Sequence, residues 1–172
     1  LLYHINIGYP LVDEGSELLA PSRTVRPRDE VARPGVREYS RFDAPQHGYK
    51  EQVFYHEMTA DDDGYVTAAI VNPRLGDGGL AVYARYRQKE LPEFTEWKML
   101  GEGDYVVGME PANARVEGRA RERERGSLKI IAPGESVEFQ VEIGVLPSGK
   151  EIEALRASVK KLLGQEGTRV LG

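Results

Sequence analysis

The sequence predicts an all-β, mainly antiparallel β-sandwich with a short C-terminal helix. Three observations carry that expectation. Roughly seven short segments alternate apolar and polar residues, the signature of half-buried strands. The joins between them, such as "ADDDG", "NPRLGDGG" and "KELPE", carry turn chemistry. Only one segment, close to the end of the chain, repeats its apolar residues at helical spacing. At 172 residues the chain fits one ordinary domain, and 40% hydrophobic with 30% charged residues is a globular composition.

Taken in order, "LYHINIGYP" reads as the first strand. Tyr3, Ile5, Ile7 and Tyr9 point one way, and His4, Asn6 and Gly8 the other. The connection over 10–48 is too long for a structureless loop, so a packed or functional excursion with short strands of its own is expected. "EQVFYHEMT" (51–59), "GYVTAAIVN" (64–72), "LAVYARYRQ" (80–88) and "EFTEWKML" (93–100) follow as strands. In "GEGDYVVGMEPAN" (101–113) a strand is expected to end on Glu110, with Pro111 as its stop. The charged run over 116–127 reads as a solvated loop or short helix. "SVEFQVEIGVL" (136–146) places Val137, Phe139, Val141, Ile143 and Val145 on one face of a strand. Finally, Ile152, Leu155, Val159 and Leu162 share a helix face, Gly164 stops that helix, and the last few residues are expected to be loose. The expected domains are a sandwich portion over 1–146 and a helix with tail over 147–172.

Bulk properties narrow the partners. A net charge of −5 argues against nucleic acid, which needs concentrated positive charge. No apolar run approaches the roughly 20 residues that cross a bilayer, so no membrane partner is expected. No signal peptide is visible, and the lack of cysteine excludes a disulfide framework and fits a reducing, cytoplasmic setting. Phosphate-loop, zinc, CxxC and serine-elbow motifs do not occur, so neither a cofactor nor a metal is expected. The chain opens on "LLYHINIGYP", without an initiator Met and in the middle of a strand, so it is expected to be the C-terminal piece of something longer.

Polar residues on strand faces mark the candidate site. The face of His4 and Asn6 either meets solvent or forms a concave surface for a polar ligand. By parity Asp104, Val106, Gly108 and Glu110 share a face, and Gly108 leaves an empty place beside Glu110 that a ligand could enter. Trp97 is the only tryptophan, and an indole face suits the C–H face of a sugar. His56 shares a face with Phe54 and Met58 and reads as a semi-buried histidine, while His47 sits in a loop. Pattern alone leaves a surface carboxylate and a ligand-facing one both open for Glu110.

Four segments together resemble the aldose 1-epimerase, or galactose mutarotase-like, superfamily. They are "LLYHINIGYPL", "GYKEQVFYH", "LPEFTEWKMLGEGDYVVGMEPAN" and "IAPGESVEFQVEIGVL". The likeness is greatest to a bacterial branch of uncharacterised function and runs from residue 1 to about 146. It implies part of a twisted β-supersandwich that binds a hexose in an open groove and interconverts its anomers without metal or nucleotide. His4 in "YHINIGYP" is similar to the general-acid histidine, and Glu110 in "GMEPAN" to the general base. Glu51 in "GYKEQVF" is similar to the sugar-binding carboxylate, with Glu for Asp and Gln52 for His or Asn, which leaves room for a sugar other than galactose. Gln52, Lys98, Asn6 and Asn113 are the further expected sugar contacts, and Trp97 the stacking platform. The family's arginine and second histidine, from its N-terminal half, are missing here. Three alternatives follow: a non-catalytic carbohydrate-binding module, an epimerase or isomerase of a modified sugar, and a sandwich fragment whose groove face is packed by the 10–48 excursion.

Overall fold

The computed structural model describes residues 1–172. A six-stranded sheet is ordered β1 (Ile5–Gly8), β8 (Tyr105–Ala112), β7 (Glu93–Leu100), β4 (Gln52–Met58), β3 (Ser22–Pro27), β10 (Arg169–Val170). A four-stranded sheet is ordered β2 (Glu17–Leu19), β5 (Tyr65–Asn72), β6 (Leu80–Arg87), β9 (Val141–Leu146). Every pairing is antiparallel except that of β10 with β3. The predicted β-sandwich is the observed one, and two helices are added to it: α1 (Arg119–Glu124) and α2 (Gly149–Leu163).

The sheets pack face to face because period-2 alternation gives each an apolar side. Met109, Val107, Phe94 and Leu100 of the larger sheet meet Leu18, Val66, Ile70, Ala84 and Tyr86 of the smaller one. Each such burial contributes about 1.5–3 kcal/mol relative to exposure. β5 is apolar on both faces because its outer residues Ala69 and Val71 are covered in turn by Ile152 and Val159 of α2. Ser148 caps that helix: its Oγ accepts from the Glu151 amide at 3.4 Å and donates to the Glu151 carboxylate at 2.6 Å. No helix is long and apolar enough to cross a membrane.

The 10–48 excursion is packed, as its length predicts. It supplies β2, β3 and a 3-10 helix over Arg33–Glu38, whose Val36 sits with Ala32 on Val25 and Phe54. It therefore lies on the inner face of the larger sheet and leaves the outer face, that of His4 and Glu110, free of it.

Several boundaries differ from expectation. The strand expected over 136–146 begins only at Val141, because its partner β6 ends its pairing at Tyr86. Residues before it are held by side chains instead: the Gln140 amide donates to Glu90 Oε2 at 2.8 Å. The apolar face expected there is half open, with Val137, Ile143 and Val145 exposed. The chain end is not loose: β10 pairs with β3, and the Leu171 amide donates to the Val25 carbonyl at 2.8 Å. Pro111 does not stop β8 but lies inside it, opposite Phe94, with its carbonyl accepting from the Tyr3 amide at 3.1 Å. The charged run is solvated except for Glu122, which is buried and bonded by the Ser127 hydroxyl at 2.9 Å.

Candidate functional site

Register explains which polar side chains meet. Val53, Trp97, Gly108 and Asn6 stand in one row across β4, β7, β8 and β1. The next row on the same face runs Tyr55, Thr95 and Glu110, with His4 just beyond the end of β1. Residues more than a hundred positions apart are thus laid side by side by two antiparallel pairings. His4 Nε2 lies 3.0 Å from Glu110 Oε1. The His4 side chain is 46% exposed and that of Glu110 only 4%, so the carboxylate is at the floor and the imidazole at the rim.

Around this pair the walls are built from three elements. The Trp97 ring meets the His4 ring edge to face, with centroids 5.5 Å apart and planes at 72°. Its indole N–H donates to Glu51 Oε2 at 2.8 Å, and Arg28 Nη2 donates to Glu51 Oε1 at 3.4 Å. Arg28 is itself fixed by its Nε on Asp29 Oδ2 at 2.8 Å. These groups, with Leu2, Val53 and Val116, line an open cavity of about 370 Å³. The segment after β8 returns over the sheet beside it, where Arg115 Nε meets Glu93 Oε2 at 3.3 Å.

Burial pushes the Glu110 carboxyl above the ordinary carboxylate range; His4 and Arg28 pull it down, and Glu51 pushes it up. Burial likewise raises Tyr55, the phenol two places along the row, to about 12. A buried carboxylate with an elevated pKa beside an imidazole, in a cleft with an indole wall, can accept and return protons.

Of the sequence-predicted residues, the structure brings together His4, Glu110, Glu51 and Trp97, with Asn6 on the same face. Three are placed elsewhere. Lys98 follows Trp97 in the strand and so points to the inner face, where its ammonium donates to the carbonyls of Glu38 at 2.7 Å and Arg41 at 2.6 Å. Gln52 is its register partner and points the same way, packed so closely on Gly35 that a Cβ there would lie 2.0 Å from its Oε1. Asn113 accepts from the Leu1 amine at 2.7 Å and borders a different, mostly apolar cavity of about 740 Å³ under the segment 113–139. Neither His4 nor Glu110 reaches that larger cavity.

Gly108 also changes meaning. The place above it is not empty: a Cβ there would lie 3.0 Å from Glu110 Oε1, 3.3 Å from His4 Cε1 and 3.4 Å from Asn6 Oδ1. The glycine makes room for the pair itself. His56 is fully buried, between Ser22 Oγ at 2.8 Å and Glu96 Oε2 at 3.3 Å, on the inner face. His47 is exposed and meets Glu102 at 3.0 Å. Arg28 is the groove residue that sequence reasoning missed. It follows Pro27, the last residue of β3, among several arginines, and no alternation singles it out.

Comparison with solved structures finds a crystal structure described as "a putative aldose 1-epimerase" from Klebsiella pneumoniae subsp. pneumoniae, with a TM-score of 0.90 at 27% identity. The match covers 99% of this chain and 44% of that one, so the chain spans less than half the length of its relative. Fold and groove thus define a portion of an aldose 1-epimerase, or galactose mutarotase-like, sandwich. Residues 1–145 match the family described as "Domain of unknown function (DUF4432)", and the chain belongs to that family. Comparison with curated proteins finds no match.

Proposed function

We propose that the groove binds a free sugar and interconverts its anomers, with Glu110 as general base and His4 as general acid. The observation that carries this reading is the 3.0 Å approach of His4 Nε2 to Glu110 Oε1 on one sheet face. A hemiacetal bears its hydroxyl and its ring oxygen on the same carbon, so the base for one and the acid for the other must stand close together. Glu110 takes the proton of the C1 hydroxyl as the His4 imidazolium protonates the ring oxygen. The C1–O5 bond breaks, the open-chain aldehyde rotates about C1–C2, and the two proton transfers run backwards on the other face of the carbonyl. Both residues return to their starting states. The raised pKa of Glu110 makes it a stronger base once ionised.

The remaining groove residues suit binding. Glu51, held by the Trp97 indole N–H and by Arg28, is 51% exposed and offers acceptors to sugar hydroxyls. Trp97 offers an apolar ring wall beside the pair, and Asn6 and Arg28 add polar contacts. Glu51 in place of the family's Asp points to a sugar other than galactose. A reducing, cytoplasmic setting follows from the cysteine-free sequence as part of the same reading.

A second reading is favoured by the exposure of His4 at the rim: the groove holds a sugar without turning it over. Polarimetry of anomer exchange separates the two. Glu110→Gln keeps shape and hydrogen bonding but cannot act as base, and is expected to lower exchange at least ~100-fold, the usual contribution of such a group. Sugar affinity should stay within a few-fold. Undiminished exchange in that variant overturns the assignment of Glu110.

A further inference from the structure

Two hydroxyls in the row of Glu110 are buried and have no hydrogen-bond partner in the protein: Thr95 Oγ1 and Tyr55 OH. Thr95 is 1% exposed and stands directly opposite Glu110 across the β7–β8 pairing. A buried, unpaired hydroxyl is costly, and a native fold retains few of them. Here the cost is borne beside the one carboxylate proposed to move protons. Glu110 Oε1 is engaged by His4, which leaves its Oε2 to the neighbouring strand. Directly opposed side chains have Cβ atoms about 4.5–5.5 Å apart, and a water with a hydrogen bond of about 2.8 Å on each side bridges such a gap.

We propose that Thr95 is a positioning residue for Glu110, donating its hydroxyl proton through one bound water to the carboxylate's second oxygen. The proposal rests on the reading of Glu110 as general base. The relay holds the carboxylate aimed at the C1 hydroxyl and favours its ionised form, because a donor stabilises the anion more than the acid. The charged neighbours that also act on Glu110 are His4 from β1, Arg28 from the end of β3, and Glu51 ahead of β4. Glu93 on β7 is paired with Arg115, and Glu117 with Arg125, in the returning segment; Tyr55 completes the surroundings on β4. A substitution at Thr95 leaves every one of these in place.

The test is Thr95→Val, which preserves shape and removes the hydroxyl, against Thr95→Ser, which keeps it. The full chain carrying carboxyl-labelled glutamate is titrated by carbon NMR, with the Glu110 signal assigned by its loss in Glu110→Gln. Loss of one donor to a carboxylate is expected to raise its titration by about one pH unit. In Thr95→Val the acid limb of kcat/KM for exchange should rise by the same amount, with kcat reduced and KM held. Thr95→Ser should titrate with the wild type. An unshifted Glu110 in Thr95→Val, or an equal shift in Thr95→Ser, overturns the proposal. If Glu110→Gln retains exchange, the catalytic reading fails, while the carbon titration still decides whether Thr95 acts on Glu110. Should Thr95→Val not fold, Thr95→Ala is read in the same titration.

Discussion

Gly108→Ala separates stability from function at this site. The residue lies in β8 with ordinary strand geometry, so alanine meets no backbone strain. Replacing a strand-interior glycine by alanine stabilises by roughly 0.5–1 kcal/mol where space allows. The added methyl, however, falls 3.0 Å from Glu110 Oε1, 3.3 Å from His4 Cε1 and 3.4 Å from Asn6 Oδ1. These are side-chain ends and not backbone, so they yield, and the carboxylate oxygen must retreat by a few tenths of an ångström. A misplacement of about 1 Å in a catalytic group costs on the order of 100-fold, so a retreat of this size is expected to cost about tenfold in exchange rate. The assays are denaturant unfolding, expected to move little in either direction, and polarimetry. Wild-type exchange in Gly108→Ala would refute the claim that Glu110 and His4 act from the positions the structure gives them. Loss of stability by several kcal/mol would instead refute the view that the side chains can make room.

Two further outcomes follow from the same geometry. Lys98→Met removes an ammonium whose pKa burial lowers, but leaves the Glu38 and Arg41 carbonyls without their donor. Unpaired buried acceptors cost about 1–3 kcal/mol each, less what is regained by no longer burying a charge, so a net loss of about 2 kcal/mol in urea unfolding is expected. Sugar affinity should be unchanged, since Lys98 faces away from the groove; a weakened affinity with intact folding counts against that placement. For Glu110 the folded-state pKa lies above its unfolded value, so its contribution to stability is complete below the unfolded pKa and is lost as pH rises through the folded one. Glu110→Gln should therefore equal or exceed the wild type in Tm at pH 8 and lose that advantage under acid, and the reverse order contradicts the raised pKa.

Much of the site was legible because strand parity is a strict rule. His4, Asn6 and Gly8 alternate with Ile5 and Ile7, and Glu110 and Gly108 alternate with Met109 and Val107, so one face of each strand was apolar and the other polar from sequence alone. The pairing of those strands was not legible, since Asn6 opposite Gly108 and Gly108 opposite Trp97 are tertiary facts. Without that register, Trp97 and Lys98 could both be drawn to the sugar, although consecutive strand residues cannot share a face. Parity also failed where a strand lacks a partner: Val137 and Phe139 alternate well, yet β9 starts only where β6 can pair with it. The short parallel β10 gives no periodic signal at all, being two residues long. Arg28 reached the groove from the end of an irregular excursion, where only the packed chain reveals its direction. His56 was read as semi-buried. Its complete burial depends on Ser22 and Glu96, which come from strands far away in sequence.

Exchange spectroscopy at the anomeric proton tests the central claim most directly, because it sees turnover and binding in one sample. A free aldose that broadens on adding the 172-residue chain is compared with its methyl glycoside, in which the C1 hydroxyl has no proton for Glu110 to take. The account predicts exchange cross-peaks between the α and β signals of the free sugar, absent for the glycoside and absent in Glu110→Gln. Sugars that bind the groove but whose anomers exchange no faster than in buffer would contradict it.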